Sequence, residues 1–152
     1  MRKKVFVIST NDLRALERLE KKKTQNGFMI GNRIFHEVNL PSCFTDWFIC
    51  LATQDVTDLC FRELWNELLK TKNGDAVITL SSIIADKYSL ELYDELSAHT
   101  YKLPSRARKC LIEIAKSGFE ELHSDEYLER ADENDLADKG IWEAIYIKLR
   151  AQ

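Results

Sequence analysis

The chain has 152 residues, of which 45% are hydrophobic and 31% are charged, and its formal net charge at pH 7 is −3. A chain of this length can bury a hydrophobic core without metal or disulfide support, and the composition is typical of globular proteins. No apolar run approaches the ~18 residues that a membrane-spanning helix needs. The negative net charge argues against nucleic-acid binding by the molecule as a whole.

The first ten residues, MRKKVFVIST, are basic and then apolar. Their apolar part, Val5 to Ile8, is shorter than the roughly 7–15 residues of a secretory signal. We therefore predict a strand over 4–9 that is buried on both faces. Thr10 is the predicted N-cap of the helix that follows, and Leu13 begins the apolar stripe of that helix. The helix is predicted to end in the lysine run 21–23, before Asn26-Gly27.

A hairpin is predicted over about 27–39. Gly31-Asn32 is a two-residue turn of the primed type between two runs rich in strand-forming residues. His36 alternates with Ile34 and Val38 in the second run, so we expect its side chain to point into the core.

From Thr45 to Lys70 the apolar residues recur every three or four positions, as in a helix, which predicts one long helix or two consecutive helices. A short strand is predicted over 76–80 because this run is apolar and β-branched after a turn. Ser81 or Ser82 is the expected cap of a following helix, and Ser89 is the expected cap of another.

Pro104 is predicted to begin a helix that runs through Lys116 and closes at Gly118. The segment 141–150 fits both a helix and a strand, and its spacing favours a helix. The predicted architecture is one α+β domain over 1–152. It is rich in helices, which pack on a small sheet of the N-terminal strand, the hairpin and the strand at about 76–80.

The four cysteines, Cys43, Cys50, Cys60 and Cys110, form no C-x-x-C pair. We predict that they are free, because a domain of this size needs no disulfide framework. Free cysteines predict a reducing, cytoplasmic location. No metal site and no cofactor are predicted, since ligand pairs at zinc spacing are absent. Whether any cysteine is reactive stays open at this point.

The sequence contains none of the motifs that identify common enzymes. The five glycines form neither a dinucleotide-binding nor a Walker loop, and there is no G-x-S-x-G or H-E-x-x-H. His36, His99 and His123 are far apart in the sequence, and their spacing gives no support to a catalytic triad. We therefore predict no catalytic residue and no enzymatic activity.

The least ordinary stretch runs from Glu120 to Asp138, where nine of nineteen residues are acidic and only Arg130 is basic. A calcium loop counted from Asp132 fails at its fifth and sixth positions, which are Leu136 and Ala137. The stretch is then either a solvated helix face, with a few tenths of a kcal/mol of repulsion per like-charged pair, or a docking surface.

The distribution of charge along the chain favours the docking surface. Residues 1–35 carry nine basic and three acidic side chains, residues 36–100 carry four and eleven, and residues 101–152 carry nine and eleven. Within the last part the acidic excess follows Gly118. A dense acidic patch raises the association rate with a basic partner and repels nucleic acid.

Size, absence of catalytic motifs and acidity are together typical of small bacterial or phage proteins that neutralise another protein. We predict a cytoplasmic inhibitor or immunity-type protein that blocks a basic partner, such as a nuclease-type toxin or a defence factor. The predicted binding residues are Glu120, Glu121, Asp125, Glu126, Glu129, Asp132, Glu133, Asp135 and Asp138.

Two alternatives remain open. The first is a nucleic-acid-associated regulator that binds through the basic helix residues Arg106, Arg108 and Lys109. The second is a small enzyme whose class no motif reveals. The sequence fixes neither the partner nor the oligomeric state.

Overall fold

A computed structural model describes residues 3–40, 47–122 and 133–151. Contacts divide the chain into two compact units, Met1–Glu67 and Leu68–Gln152. Helices and one antiparallel sheet together confirm the predicted α+β class, whereas the prediction of one domain over 1–152 stays a prediction. None of the helices in the described ranges combines the length and the apolarity that a membrane crossing requires.

The first unit contains a five-stranded sheet with strand order β1-β5-β4-β3-β2. Its elements are β1 (Val5–Ser9), α1 (Leu13–Glu20), β2 (Lys23–Thr24), β3 (Gly27–Ile30), β4 (Arg33–Val38) and β5 (Phe48–Ala52), and helix α2 (Thr57–Lys70) continues past the boundary at Glu67. All pairings are antiparallel. The hairpin prediction is confirmed, since Gly31 has the positive φ (+62°) that a primed turn requires.

The register separates the residues of the sheet onto two faces. Phe6 pairs with Leu51, and Leu51 pairs with Glu37, so these three side chains project to the same side. We call this side the α1 face, because Leu19 of α1 packs there against Phe35 and Leu51. Cys50 and Ala52 belong to the opposite face and are almost fully buried.

The predictions for the burial of β1, for the cap of α1 and for His36 are wrong. Strand β1 is an edge strand and is not buried on both faces, so Phe6 is 41% exposed. The cap of α1 is Asp12 rather than Thr10, because the Asp12 carboxylate accepts a hydrogen bond from the Ala15 amide at 3.1 Å. His36 is exposed instead of pointing into the core, and its Nδ1 lies 3.1 Å from the point where Gly27 would carry a Cβ.

The helix predicted from Thr45 to Lys70 is correct only from Thr57 onwards. Residues 48–52 form β5, which lies between β1 and β4 and is buried on both faces. A strand in this position is apolar at every residue, so its sequence lacks the alternation that distinguishes a strand from a buried helix. Thr45 itself lies outside the described residues.

The second unit is helical in its described part. It contains α3 (Gly74–Ile83), a π-helical turn (Ile84–Tyr88), α4 (Leu90–Ser97), a 3-10 turn (Thr100–Lys102), α5 (Ser105–Leu122) and α6 (Glu133–Arg150). The strand predicted over 76–80 is wrong, because these residues lie in α3, which the Asn73 side chain caps at the Ala76 amide. Ser81 is inside the helix, and its hydroxyl donates to the Ile78 carbonyl at 2.7 Å.

Helices α5 and α6 pack closely at a glycine. A Cβ on Gly118 would lie 3.0 Å from the Trp142 ring, so Gly118 is a packing position inside α5 and does not end the helix as predicted. The Trp142 ring also lies 6.0 Å from the Tyr93 ring of α4. The cap at Ser89 is confirmed by a hydrogen bond to the Leu92 amide, and the favoured helix over 141–150 is confirmed in α6.

Candidate functional sites

Five of the nine acidic residues predicted to bind a partner belong to α5 or α6. Glu120 is exposed near the end of α5, and its carboxylate lies 4.0 Å from the Lys116 ammonium. Asp138 is exposed in α6. Glu121, Glu133 and Asp135 are helical in their backbone. Asp125, Glu126, Glu129 and Asp132 lie outside the described residues.

The two exposed carboxylates are close in sequence to the residues through which α5 packs on α6. Glu120 is two residues beyond Gly118, and Asp138 is four residues before Trp142, which contacts Gly118. At the helical rise per residue these steps correspond to about 3 and 6 Å along the two axes.

The basic residues of the alternative prediction do not form one continuous patch. Arg106 and Lys109 are exposed and three residues apart on α5, so they are neighbours on one side of it. Arg108 is half-buried, and its Nε atom is buried without a hydrogen bond inside the described ranges.

Arg106 lines a groove of about 490 Å³ where α3 and α5 begin. Lys72 and Asp75 also line this groove, together with the half-buried Cys110. The helices approach closely here, since a Cβ on Gly74 would lie 2.5 Å from that of Ala107. The groove therefore brings together two cations, one carboxylate and a thiol.

Cys50 of β5 and Cys60 of α2 are buried and in contact. The hydrogen bond with Cys60, together with burial, raises the pKa of the Cys50 thiol above its ordinary value. A buried thiol that stays protonated is a poor nucleophile. Cys43 lies outside the described residues, and no group of three or more His, Cys, Asp or Glu side chains within the described ranges is placed to hold a metal ion.

The structure contains a second groove that the sequence did not predict. A groove of about 350 Å³ on the α1 face is lined by Lys4, Phe6, Arg33 and Phe35 and by the hairpin turn. The two pairs of residues come from strands that are separated in the sheet by β5, so no local spacing in the sequence could bring them together. The signal that was available is the alternation of a cation and an aromatic in both strands, Lys4 with Phe6 and Arg33 with Phe35.

Comparison with protein-family models, with curated proteins and with solved structures finds no match to this chain.

Proposed function

We propose that the protein is an interaction protein that binds and blocks a partner with a basic surface, of the kind that immunity proteins and inhibitors of nuclease-type toxins or defence factors represent. The observation that carries the proposal is the placement of Glu120 and Asp138. Both are exposed, and they stand two residues from Gly118 and four from Trp142 along helices that pack together at these residues. The acidic stretch thus supplies an exposed carboxylate to each of two helices that pack together.

The proposed mechanism is steric occlusion with electrostatic steering. Proteins that cleave or bind nucleic acid present basic surfaces to phosphates, and carboxylates can compete for the same cations. Charges on the surface act over a Debye length of about 8 Å at physiological ionic strength. Clustered carboxylates therefore accelerate the encounter, and a rigid helix pair then covers the surface of the partner.

The test is a pull-down and growth-rescue assay with the product of the adjacent gene. The charge-reversed variant carries Glu120→Lys and Asp138→Lys, and a second variant adds Asp125→Lys, Glu129→Lys, Asp132→Lys and Glu133→Lys. We expect the first variant to weaken binding at least about tenfold and to remove growth rescue, because close charge pairs in interfaces couple by about 1.5 kcal/mol or more.

The matched control reverses Glu17 and Glu63, which are exposed and belong to the other unit. It changes the net charge as much as the first variant does. If the control weakens binding equally, or if the charge-reversed variants bind as the unchanged protein does, the acidic-surface mechanism is wrong.

A second candidate function is nucleic-acid binding at the groove between α3 and α5. Lys72, in the turn before α3, and Arg106, in the first turn of α5, both line this groove, which favours a phosphate ligand. Binding of double-stranded DNA or RNA that weakens with salt, and that is lost in the variant with Lys72→Ala and Arg106→Ala, would support this candidate. Binding that survives both substitutions would contradict it.

A further inference from the structure

The α1 face of the sheet carries a groove in which an exposed aromatic ring lies among cations. The groove has a volume of about 350 Å³ and is lined by Lys4, Phe6, Arg33 and Phe35. We propose that it binds single-stranded nucleic acid, with an unpaired base stacked on Phe6 and the flanking phosphates held by Lys4 and Arg33. This site belongs to the first unit and does not depend on the acidic surface of the second.

Phe6 is placed as a platform for stacking. Its ring is 41% exposed, although the other residues of β1 are less exposed. The Phe35 ring lies 5.0 Å from it at an angle of 71° and is itself 1% exposed, so it fixes the orientation of Phe6 from inside the core. A rigid, exposed ring loses little conformational entropy on stacking, and each stacked base contributes about 1–3 kcal/mol.

The two cations lie on the same face as the rings. Lys4 immediately precedes β1 and continues its backbone pairing through a hydrogen bond from the Thr53 amide to the Lys4 carbonyl, so it stands two residues before Phe6 as Arg33 stands two before Phe35. Side chains two residues apart in a strand project to one side and are about 6–7 Å apart along it. The pairing of Phe6 with Leu51, and of Leu51 with Glu37, places the even-numbered residues of β1 and the odd-numbered residues of β4 on the α1 face. Both cations line the groove.

The charge around the groove suits a polyanion despite the net charge of the chain. Residues 3–35 carry eight basic and three acidic side chains. Helix α1, which packs on this face through Leu19, presents Arg14 and Arg18 to solvent. Glu37 is an exposed carboxylate on the same face, so the local charge is positive but not uniform. Lysine and arginine near phosphates release counterions on binding, which gives the salt dependence of such sites.

The shape of the groove selects single strands over duplexes. Its volume is at the lower end of the range for small ligands, which begins at about 300 Å³, and it accommodates one nucleotide. In a duplex the faces of the bases are stacked on each other and are not available to an aromatic side chain. Stacking on Phe6 would also be tolerant of sequence, because every base has a π-face.

The experiment is fluorescence anisotropy with the full chain and a labelled oligonucleotide of about 12 nucleotides, within the range of known single-strand sites. Oligo-uridine, oligo-thymidine and a mixed-sequence duplex are the three probes. We expect both single strands to bind more tightly than the duplex, and their Kd to rise with salt. Phe6→Leu, which keeps an apolar side chain on Phe35 but removes the ring, should raise the Kd about 5-fold to 100-fold. Phe6→Tyr should restore binding.

Lys4→Gln and Arg33→Gln should each raise the Kd and flatten its dependence on salt, because each removes one phosphate contact. Leu13→Ala is the apolar control, since Leu13 is 71% exposed and does not line the groove. Lys102→Gln in the second unit is the charged control. Circular dichroism checks that every variant keeps its helical content.

Three results would overturn the proposal. They are absence of single-strand binding at low salt, equal affinity for the duplex, and unchanged binding by folded Phe6→Leu. Loss of binding in the variant with Lys72→Ala and Arg106→Ala, with Phe6→Leu unaffected, would assign the ligand to the groove between α3 and α5 instead. None of these results bears on capture of a basic protein partner, so the two proposals fail separately.

Discussion

Tyr93 is the residue whose environment has the clearest consequence for stability. Its side chain is 1% exposed. Burial raises the pKa of Tyr93 to about 12, against the effect of a hydrogen bond with Ser81. The folded state therefore holds the phenolic proton more tightly than the unfolded state does, in which the pKa is about 10. The contribution to stability is fully present below pH 10 and is lost as the pH rises from 10 to 12.

We expect the free energy of unfolding to fall by about 2–3 kcal/mol over this interval through Tyr93 alone. In Tyr93→Phe the free energy of unfolding should depend less on pH between 10 and 12, as measured by urea unfolding at pH 8 to 12. Tyr101→Phe is the control, because Tyr101 is 56% exposed. An unchanged decline in Tyr93→Phe would show that another group controls alkaline unfolding.

Two glycines inside helices differ in what surrounds them, and this difference predicts opposite effects of one substitution. A Cβ on Gly140 would meet nothing within 4 Å, whereas a Cβ on Gly118 would lie 3.0 Å from Trp142. Gly140→Ala should stabilise the protein by about 0.5–1 kcal/mol through helix propensity. The free energy of unfolding of Gly118→Ala should be at least about 1 kcal/mol lower than that of Gly140→Ala, because the Trp142 ring must move to admit the new methyl group.

Urea unfolding of both variants measures this difference directly. The comparison is internal, since both substitutions add the same methyl group to the interior of a helix. Equal stabilisation by the two would mean that α5 and α6 are not packed through Gly118.

At the scale of elements, the sequence predicts best where a few adjacent residues determine the outcome. The Gly31-Asn32 turn and the Ser89 cap are both present as predicted. A positive φ and a hydroxyl acceptor are local requirements, and glycine and serine meet them without help from distant contacts.

The two wrong assignments of element type share a physical cause. Residues 48–52 and 76–80 are both apolar runs with buried residues on more than one side. Such a run has no polar face from which a period could be read, so its type depends on its neighbours. The first run pairs with β1 and β4. The second run lies in helix α3, which begins after its Asn73 cap.

The close approach of α3 to α5 can be tested as a contact between two elements. The Cβ of Ala107 lies 2.5 Å from the point where Gly74 would carry its own. Gly74→Ala should therefore destabilise the protein by about 1–3 kcal/mol through overpacking. Ala107→Gly should lower stability by about 1 kcal/mol through helix propensity.

The double variant distinguishes overpacking from other causes. Removing the Ala107 methyl makes room for the new one, so the double variant should be at least about 1 kcal/mol more stable than the sum of the single effects predicts. Additive effects in urea unfolding would indicate that the helices do not touch at this point.

At the scale of the whole molecule, the two candidate surfaces differ in how far the sequence reveals them. The acidic stretch is visible because its members are adjacent in the chain. The groove on the α1 face joins β1 to β4 through the intervening β5, and β5 was itself predicted as helix. A site that depends on strand order cannot be found while one of the strands is assigned to the wrong class.

Strand order also predicts which parts of the sheet form first. Ala52 pairs with Val5, 47 residues earlier, whereas two residues connect β3 to β4. Closing a short loop costs less entropy and is faster. Gly31→Ala, which places an L residue at a φ of +62°, should slow refolding. Val7→Ala in β1 should mainly accelerate unfolding.

Stopped-flow folding and unfolding in urea separate the two effects. A folding rate that falls as much in Val7→Ala as in Gly31→Ala would mean that β1 is already docked in the transition state. The comparison requires that each substitution change the free energy of unfolding by more than about 0.6 kcal/mol.

The distance between β1 and β5 has a further consequence during synthesis. A ribosome adds about 5–20 residues per second, so Val5 waits roughly 2 to 9 s for the partner that lies 47 residues later. The hairpin of β3 and β4 can form within about 10 microseconds of its completion. Among the strands of the sheet, the apolar strand Val5–Ser9 thus stays longest without its neighbour, and it is where we expect chaperones to bind the emerging protein.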